Sequence, residues 1–376
     1  MSAVVAVIIG TRPEAIKLAP VVLALRERGV SVRIVATGQH RDLLHGALAT
    51  FDLRADVDLF TMREGQDLSG LTARLVEALS QGLREPRPTL ALVQGDATTT
   101  LAGALVCFYQ GIPCGHVEAG LRSGSLHAPW PEEMNRRLTD QLCTHHYPPT
   151  ERARRNLLDD GIDPANTVMT GQTGVDAALL ISERMDGAIP REIAGVVREG
   201  RELLVYATAH RRESFDGKIR GVAAALHSIV RERPDVRVVL PAHPNPNVTR
   251  EISEFVGSHE RLHIIDPVSY PCSIWLMRHA AAIVSDSGGI QEEAPSFGVP
   301  VLVTREVTER PEGVDAGFLR LVGTRAESVS QHLRAVLDDR GLKQRLRGVP
   351  NPYGDGHASR RIADDVARIV GAPPRR

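Results

Sequence analysis

The sequence predicts an α/β protein built from two doubly wound domains, each with a parallel sheet covered by helices on both faces. Three observations carry this prediction. Short runs rich in Val and Ile alternate with longer amphipathic stretches, as expected of βαβ units whose strands are buried on both sides. The alternation breaks near residues 172–200 and then restarts. Polar turns follow the apolar runs in both halves, and open α/β sheets bind ligands beyond the carboxyl ends of their strands. A length of 376 residues suits two such domains.

Taken in order, residues 3–9 form an apolar run ending at Gly10. It reads as a first buried strand and not as a leader, since no basic segment precedes it and no small-residue cleavage site follows. Residues 14–28 carry apolar positions at helical spacing, and 31–37 read as a second strand. Residues 90–93 lead into Gly95-Asp96 and a Thr-rich helix start at Thr98, and 112–117 form a strand ending at Glu118. After the break, 203–208, 236–240, 262–265, 282–284 and 299–303 read as strands, with helices such as 219–231 and 292–297 between them. The expected domains are 1–171 and 172–356. Residues 357–376 are expected to pack back on the first domain, because 357–370 is amphipathic. A cleft between two facing domains is the expected site.

Charge and cysteine content narrow the class. Lys and Arg total 45 against 46 Asp and Glu, a net charge of −1. That balance excludes a nucleic-acid partner held by bulk charge, which needs a basic excess. Only Lys17, Lys218 and Lys343 are lysines, so few Schiff-base or P-loop candidates exist. No apolar run of about 18 residues is present, so no membrane span is expected. Cys107, Cys114, Cys143 and Cys272 are scattered without a C-x-x-C pair and read as free thiols. No metal site or disulfide framework is expected, and the chain is expected in the cytoplasm.

Several motifs carry chemistry. In Asp286-Ser287-Gly288-Gly289, two glycines sit between a strand and a helix, where backbone N–H groups and the helix N-terminus suit a phosphate. A plain strand-to-helix turn is the alternative. Ser287 adds a hydroxyl, and Glu293, one turn on, suits a ribose hydroxyl. Arg12 follows the first strand, with Pro13 opening a helix and Lys17 about one turn further; these cations suit a diphosphate or a surface ion pair. Neither G-x-x-x-x-G-K-[ST] nor G-x-G-x-x-G opens a helix. A P-loop NTPase and a standard NAD enzyme are therefore disfavoured. Asp96 and Glu118 end separate strands, and Glu132 follows Pro129-Trp130-Pro131. Three carboxylates gathered in one site can divide acid and base work, although each alone fits a helix cap or ion pair. His210-Arg211-Arg212-Glu213 suits a pyrophosphate better than a metal. His145-His146 on one strand point to opposite faces and so do not chelate together.

The chain resembles the bacterial, non-hydrolysing UDP-N-acetylglucosamine 2-epimerases nearly end to end. The similarity rests on residues 10–17 (GTRPEAIK), 116–122 (HVEAGLR), Pro131-Glu132-Glu133 with Asn135-Arg136, 210–213 (HRRE), 286–295 (DSGGIQEEAP), 308–312 (TERPE) and 351–356 (NPYGDG). The resemblance implies two Rossmann-like domains facing across a cleft in a GT-B-like arrangement, without metal or cofactor. It implies reversible epimerisation at C2 of UDP-N-acetylglucosamine to UDP-N-acetylmannosamine. That reaction runs by anti elimination of UDP through 2-acetamidoglucal, followed by re-addition. It assigns Asp96, Glu118, Glu132 and His210 to catalysis. Arg12, Lys17, Ser287, Gly288, Gly289, Glu293 and Arg310 are assigned to UDP. A second UDP-N-acetylglucosamine is implied as an allosteric activator, at Gln39, His40, Gln66, Arg211 and His243, with Glu132 shared. A homodimer is also implied. The chain departs from the family pattern at Gly65, Gln94, Ala97, Gln172 and Ser273.

Competing readings are a hydrolysing 2-epimerase that releases UDP and N-acetylmannosamine, and an epimerase of a modified UDP-2-acetamido sugar. A glycosyltransferase of the same architecture and a catalytically silent sugar-nucleotide sensor complete the set. The intact Thr11-Arg12-Pro13-Glu14 opening separates the chain from the hydrolysing relatives.

Overall fold

The computed structural model describes residues 3–38, 41–61, 65, 67–198, 200, 202–208, 218–242 and 259–371. In chain order the first half runs β1 (Val4–Ile9), α1 (Arg12–Glu27), β2 (Ser31–Ala36), α2 (Arg41–Ala49), β3 (Val57–Asp58), α3 (Leu68–Gly82), β4 (Leu90–Gln94), α4 (Thr98–Gln110), β5 (Cys114–Val117), α5 (Glu132–Leu142), β6 (His145–Tyr147), α6 (Glu151–Asp159) and α7 (Thr173–Arg184). The second half runs β7 (Leu203–Thr208), α8 (Lys218–Glu232), β8 (Val236–Pro241), β9 (Leu262–Ile265), α9 (Tyr270–His279), β10 (Ala282–Ser285), α10 (Gly288–Glu293), β11 (Val301–Val303), α11 (Pro311–Asp315), β12 (Leu319–Leu321), α12 (Ala326–Asp338), α13 (Leu342–Arg347) and α14 (Ala358–Ile369). The chain forms two compact units, one of Met1–Ala177 with Tyr353–Arg376 and the other of Ala178–Pro352.

Each unit holds one six-stranded sheet, ordered β3-β2-β1-β4-β5-β6 and β12-β11-β10-β7-β8-β9, and all the strand pairs are parallel. Counted from its own first strand, each sheet has the 3-2-1-4-5-6 order of the Rossmann fold, so the fold class is the one the sequence predicts. The order reverses between β1 and β4, and again between β7 and β10. At such switch points neighbouring connections leave to opposite faces and open a crevice at the strand ends.

Period-specific burial explains the elements. In the first unit Ala6, Ile8, Val35, Ala91 and Val93 project into one core with Leu71, Leu75 and Leu79, which recur every four residues along α3. In the second, Val205, Val238, Val284 and Leu302 pack with Leu226, Ile229, Leu333 and Leu337 of α8 and α12. Two strands begin later than the apolar pattern suggests, β5 at Cys114 and β11 at Val301. Pro113 and Pro300 precede them and have no N–H to give a ladder, though their carbonyls accept from Ala91 and Ile283. The α10 helix starts at Gly288, four residues before the expected 292, and Ala294–Phe297 continues as a 3₁₀ turn. α14 packs on α1, with Tyr147 Oη donating to Asp365 Oδ2 at 3.0 Å and Arg28 Nε to Asp364 Oδ1 at 2.6 Å. No helix among the described residues is long and apolar enough to cross a membrane.

Candidate active site

At the β1 end, Gly10 and Thr11 turn the chain into α1. The sequence Thr11-Arg12-Pro13-Glu14 is a capping box, in which the Glu14 N–H donates to Thr11 Oγ1 at 3.4 Å and the Thr11 N–H donates to Glu14 Oε2 at 2.6 Å. The Gly10 N–H also donates to Glu14 Oε2, at 3.0 Å. Only glycine fits at residue 10, because a Cβ there would lie 2.0 Å from Thr99 Oγ1 and 2.8 Å from Thr37 Oγ1. Burial pushes the Glu14 carboxyl up to about 7, against the hydrogen bonds that favour its ionised form. The burial of this carboxyl was not legible in the sequence.

Five residues after Arg12, on the same helix, Lys17 is buried, and its Nζ donates to Glu118 Oε2 at 2.5 Å. Gln94, the last residue of β4, donates from Nε2 to the same oxygen at 2.6 Å. Glu118 follows β5 directly and has φ 68°, the left-handed region that non-glycine residues enter at a cost of about 1–2 kcal/mol. This backbone turn and the two donors together aim the carboxylate. Lys17, expected on the diphosphate, thus has its ammonium on a carboxylate. Gln94 entered the sequence reading only as a departure from a family pattern, yet it donates to Glu118.

Asp96 follows β4. Its carboxylate pairs with Arg136, and its carbonyl accepts from Asn135 Nδ2 at 2.9 Å. Glu132, Asn135 and Arg136 lie three and four residues apart and so share one face of α5. Glu132 is the first residue of that helix, where the peptide dipoles favour a carboxylate. Arg136 is fixed in turn by Glu133, which is fully buried and also accepts from the Ser123 N–H at 3.0 Å. Since β4 and β5 are hydrogen-bonded neighbours, Asp96, Glu118 and α5 gather at one end of the first sheet.

In the second unit the expected glycine turn follows β10. The Ser287 N–H donates to Ser285 Oγ at 3.0 Å, and Ser285 Oγ lies 2.6 Å from Thr208 Oγ1 on β7. Arg310 lies flat against this turn, so that a Cβ on Gly288 would fall 2.8 Å from its Cζ. Its guanidinium donates to Glu292 Oε1 at 2.6 Å and to Glu309 Oε1 at 2.5 Å, and Glu309 also binds Arg305 at 3.0 Å. Arg310 is therefore charge-compensated by two carboxylates that the sequence reading did not assign. Glu293 is buried, and its Oε1 would lie 3.5 Å from a Cβ on Gly289. Ser273 sits with its Oγ 2.9 Å from Tyr206 Oη. His210, Arg211, Gln39, His40, Gln66 and His243 lie outside the described residues.

Comparison with known proteins gives concordant results. The family model described as UDP-N-acetylglucosamine 2-epimerase matches residues 23–367. The UDP-N-acetylglucosamine 2-epimerase of Escherichia coli K12 is 43% identical over 362 residues, covering 95% of this chain and 96% of that protein. The Neisseria meningitidis UDP-GlcNAc 2-epimerase, solved bound to UDP-GlcNAc, superposes with a TM-score of 0.92 at 38% identity, covering 97% of this chain and 100% of that one. The Methanocaldococcus jannaschii UDP-GlcNAc 2-epimerase, solved with UDP-GlcNAc and UDP, gives 0.82 at 31% identity, covering 97% and 99%.

Proposed function

The chain belongs to the bacterial-type UDP-N-acetylglucosamine 2-epimerase family, an isomerase class (EC 5.1.3.14), and on that premise we propose that it epimerises C2 of UDP-N-acetylglucosamine by elimination and re-addition of UDP. One carboxylate removes the C2 proton while the C1–O bond to UDP breaks anti to it. The product pair is 2-acetamidoglucal and UDP. A second carboxylate returns a proton to the opposite face of C2, and UDP adds back to C1, giving UDP-N-acetylmannosamine. The observation that carries this reading is the pair Asp96 and Glu118 at adjacent strand ends, held by different partners. Asp96 is paired with a guanidinium, whereas Glu118 is held by an ammonium and a neutral amide. Two carboxylates in different surroundings suit separate acid and base roles on opposite faces of C2.

Glu132 is assigned as the third carboxylate and His210 to the diphosphate. Arg12, Lys17, Ser287, Gly288, Gly289, Glu293 and Arg310 are assigned to UDP. Lys17 serves the leaving group through its contact with Glu118, and Arg310 by backing the glycine turn. Preorganised donors at the diphosphate lower the barrier to departure of UDP. A second UDP-N-acetylglucosamine is assigned as activator to Gln39, His40, Gln66, Arg211 and His243. The chain is assigned to the cytoplasm as a homodimer. Self-association is supported by exposed Met134 and Leu138, four residues apart on α5, by exposed Trp130 just before that helix, and by exposed Phe108 and Tyr109 on α4, against which α5 packs.

Incubation with UDP-N-acetylglucosamine in deuterated water tests the reaction. Deuterium is expected at C2 of both epimers without net loss of UDP-sugar. Stoichiometric release of free UDP would move the chain to the hydrolysing class, and absence of exchange with any UDP-2-acetamido sugar would end the proposal.

A further inference from the structure

Behind the two carboxylates lies a charged cluster that the proposed chemistry does not use. His116, two residues before Glu118, is 0% exposed, as is Asp140 on α5. His116 Nδ1 lies 2.6 Å from Asp140 Oδ1, and its Nε2 lies 2.8 Å from the Gly95 carbonyl oxygen. A carbonyl oxygen only accepts, and an ionised carboxylate only accepts. Burial alone would raise the Asp140 carboxyl, but the His116 ring and the Arg122 guanidinium outweigh it and hold it below the ordinary aspartate range. The His116 ring thus bridges the Asp140 carboxylate and the Gly95 carbonyl, with Nε2 donating to the latter.

The cluster reaches further. The Gly120 N–H donates to Asp140 Oδ2 at 3.3 Å, and Arg122 Nη2 donates to the same oxygen at 2.7 Å. Arg122 also binds Asp160 at 2.7 Å. His146 Nε2 lies 2.8 Å from the Asp140 carbonyl. His116 thus grips the residue before Asp96, and Asp140 grips a residue two beyond Glu118, in the turn that carries its left-handed φ of 68°. Fully buried charges cost several kcal/mol each in desolvation, and apolar groups of similar shape are often as stable. A cluster so placed has a use beyond stability.

We propose that the buried His116–Asp140 pair is a positioning device, which sets the Gly95-Asp96 and Glu118-Gly120 turns on one mount so that both carboxylates meet C2 in register. The proposal rests on the epimerase reading above. His116 touches no reacting atom; its effect on turnover passes through the Gly95 carbonyl and through Asp140.

Two substitutions separate positioning from bulk structure. The amide nitrogen of Gln reaches about where His Nε2 lies, and that of Asn about where Nδ1 lies. His116→Gln keeps the donor to Gly95, and His116→Asn keeps only the donor to Asp140. Because a misplacement of about 1 Å costs on the order of 10²-fold in rate, His116→Asn is expected to lower kcat about 10- to 100-fold with KM within about threefold. His116→Gln, which breaks the link to Asp140 but leaves Asp140 bonded to Gly120 and Arg122, is expected to lose turnover too, though less than His116→Asn. UDP binding by calorimetry, unchanged in both variants, certifies folding. Equal kcat in the two variants, or a KM that rises in step with the loss, overturns the proposal. If either variant does not fold, the side-chain 15N spectrum of histidine-labelled wild type decides. A ring with a slowly exchanging Nε2 hydrogen is expected, and its absence overturns the assignment. Failure of the wild type to exchange deuterium at C2 would remove the epimerase reading and leave the 15N result standing by itself.

Discussion

Gly288→Ala is a one-methyl perturbation at the start of α10. The φ of Gly288 lies outside the left-handed region, so alanine meets no backbone objection, only a steric one. The new Cβ would stand 2.8 Å from Arg310 Cζ and 2.9 Å from each of its terminal nitrogens, against a comfortable separation of about 3.5–4.0 Å. The guanidinium cannot slide away without breaking one of its bonds, at 2.6 Å to Glu292 or 2.5 Å to Glu309. A charge-assisted hydrogen bond of this kind is worth about 1.5–3 kcal/mol. If instead the turn moves to spare Arg310, the backbone N–H groups leave the phosphate position by a comparable amount. Either route predicts weaker UDP binding by about 10- to 150-fold, read by isothermal titration. A Cβ on Gly289 would meet Glu293 Oε1 only at 3.5 Å, an ordinary contact. Gly289→Ala is therefore expected to melt with the wild type, and Gly288→Ala a few degrees below it. A Gly288→Ala protein with the wild-type UDP affinity and melting point would refute both the packing of Arg310 and its place at the diphosphate.

Glu118→Gln is expected to lower kcat by about 10²-fold or more, on the scale of a lost general acid–base group; near-normal turnover in a coupled assay removes Glu118 from proton transfer. Lys17→Met leaves Glu118 buried without its ammonium, and breaking a buried pair this way costs about 3–5 kcal/mol. In urea titrations the double variant Lys17→Met/Glu118→Gln is expected to recover part of that loss, and strict additivity would show that the pair is not coupled. Glu14, whose carboxyl is raised from 4.5 to about 7, binds its proton more tightly folded than unfolded. Its contribution is complete below about pH 4.5 and declines as pH rises, levelling off above about 7, a change of roughly 3 kcal/mol. Glu14→Gln is expected to abolish this slope, so wild type and variant unfolding compared from pH 5 to 8 should diverge steadily; parallel curves would refute the burial argument.

The sequence by itself determined the architecture. Val- and Ile-rich runs ending in polar turns can be satisfied only by parallel strands buried on both faces, and the restart after residue 172 required the pattern twice. It also put Asp96, Glu118 and Ser287-Gly288-Gly289 at strand ends, because the chemistry-bearing residues follow the apolar runs directly. What it could not decide is which groups touch. Lys17 and Glu118 are 101 residues apart in the chain, and their pairing depends on how α1 crosses the sheet. Gln94 donates to Glu118 because β4 and β5 are adjacent in register, and register is a tertiary fact. Arg310 reads as a free cation until Glu292 and Glu309 are seen on either side of it. His116 and Asp140 read as ordinary polar residues, and only the assembled sheet shows them as a fully buried hydrogen-bonded pair. Local patterns record what a segment exposes to its two faces. Proton affinities and ion pairs depend on desolvation and on partners distant in the chain, and those exist only once the sheet is assembled.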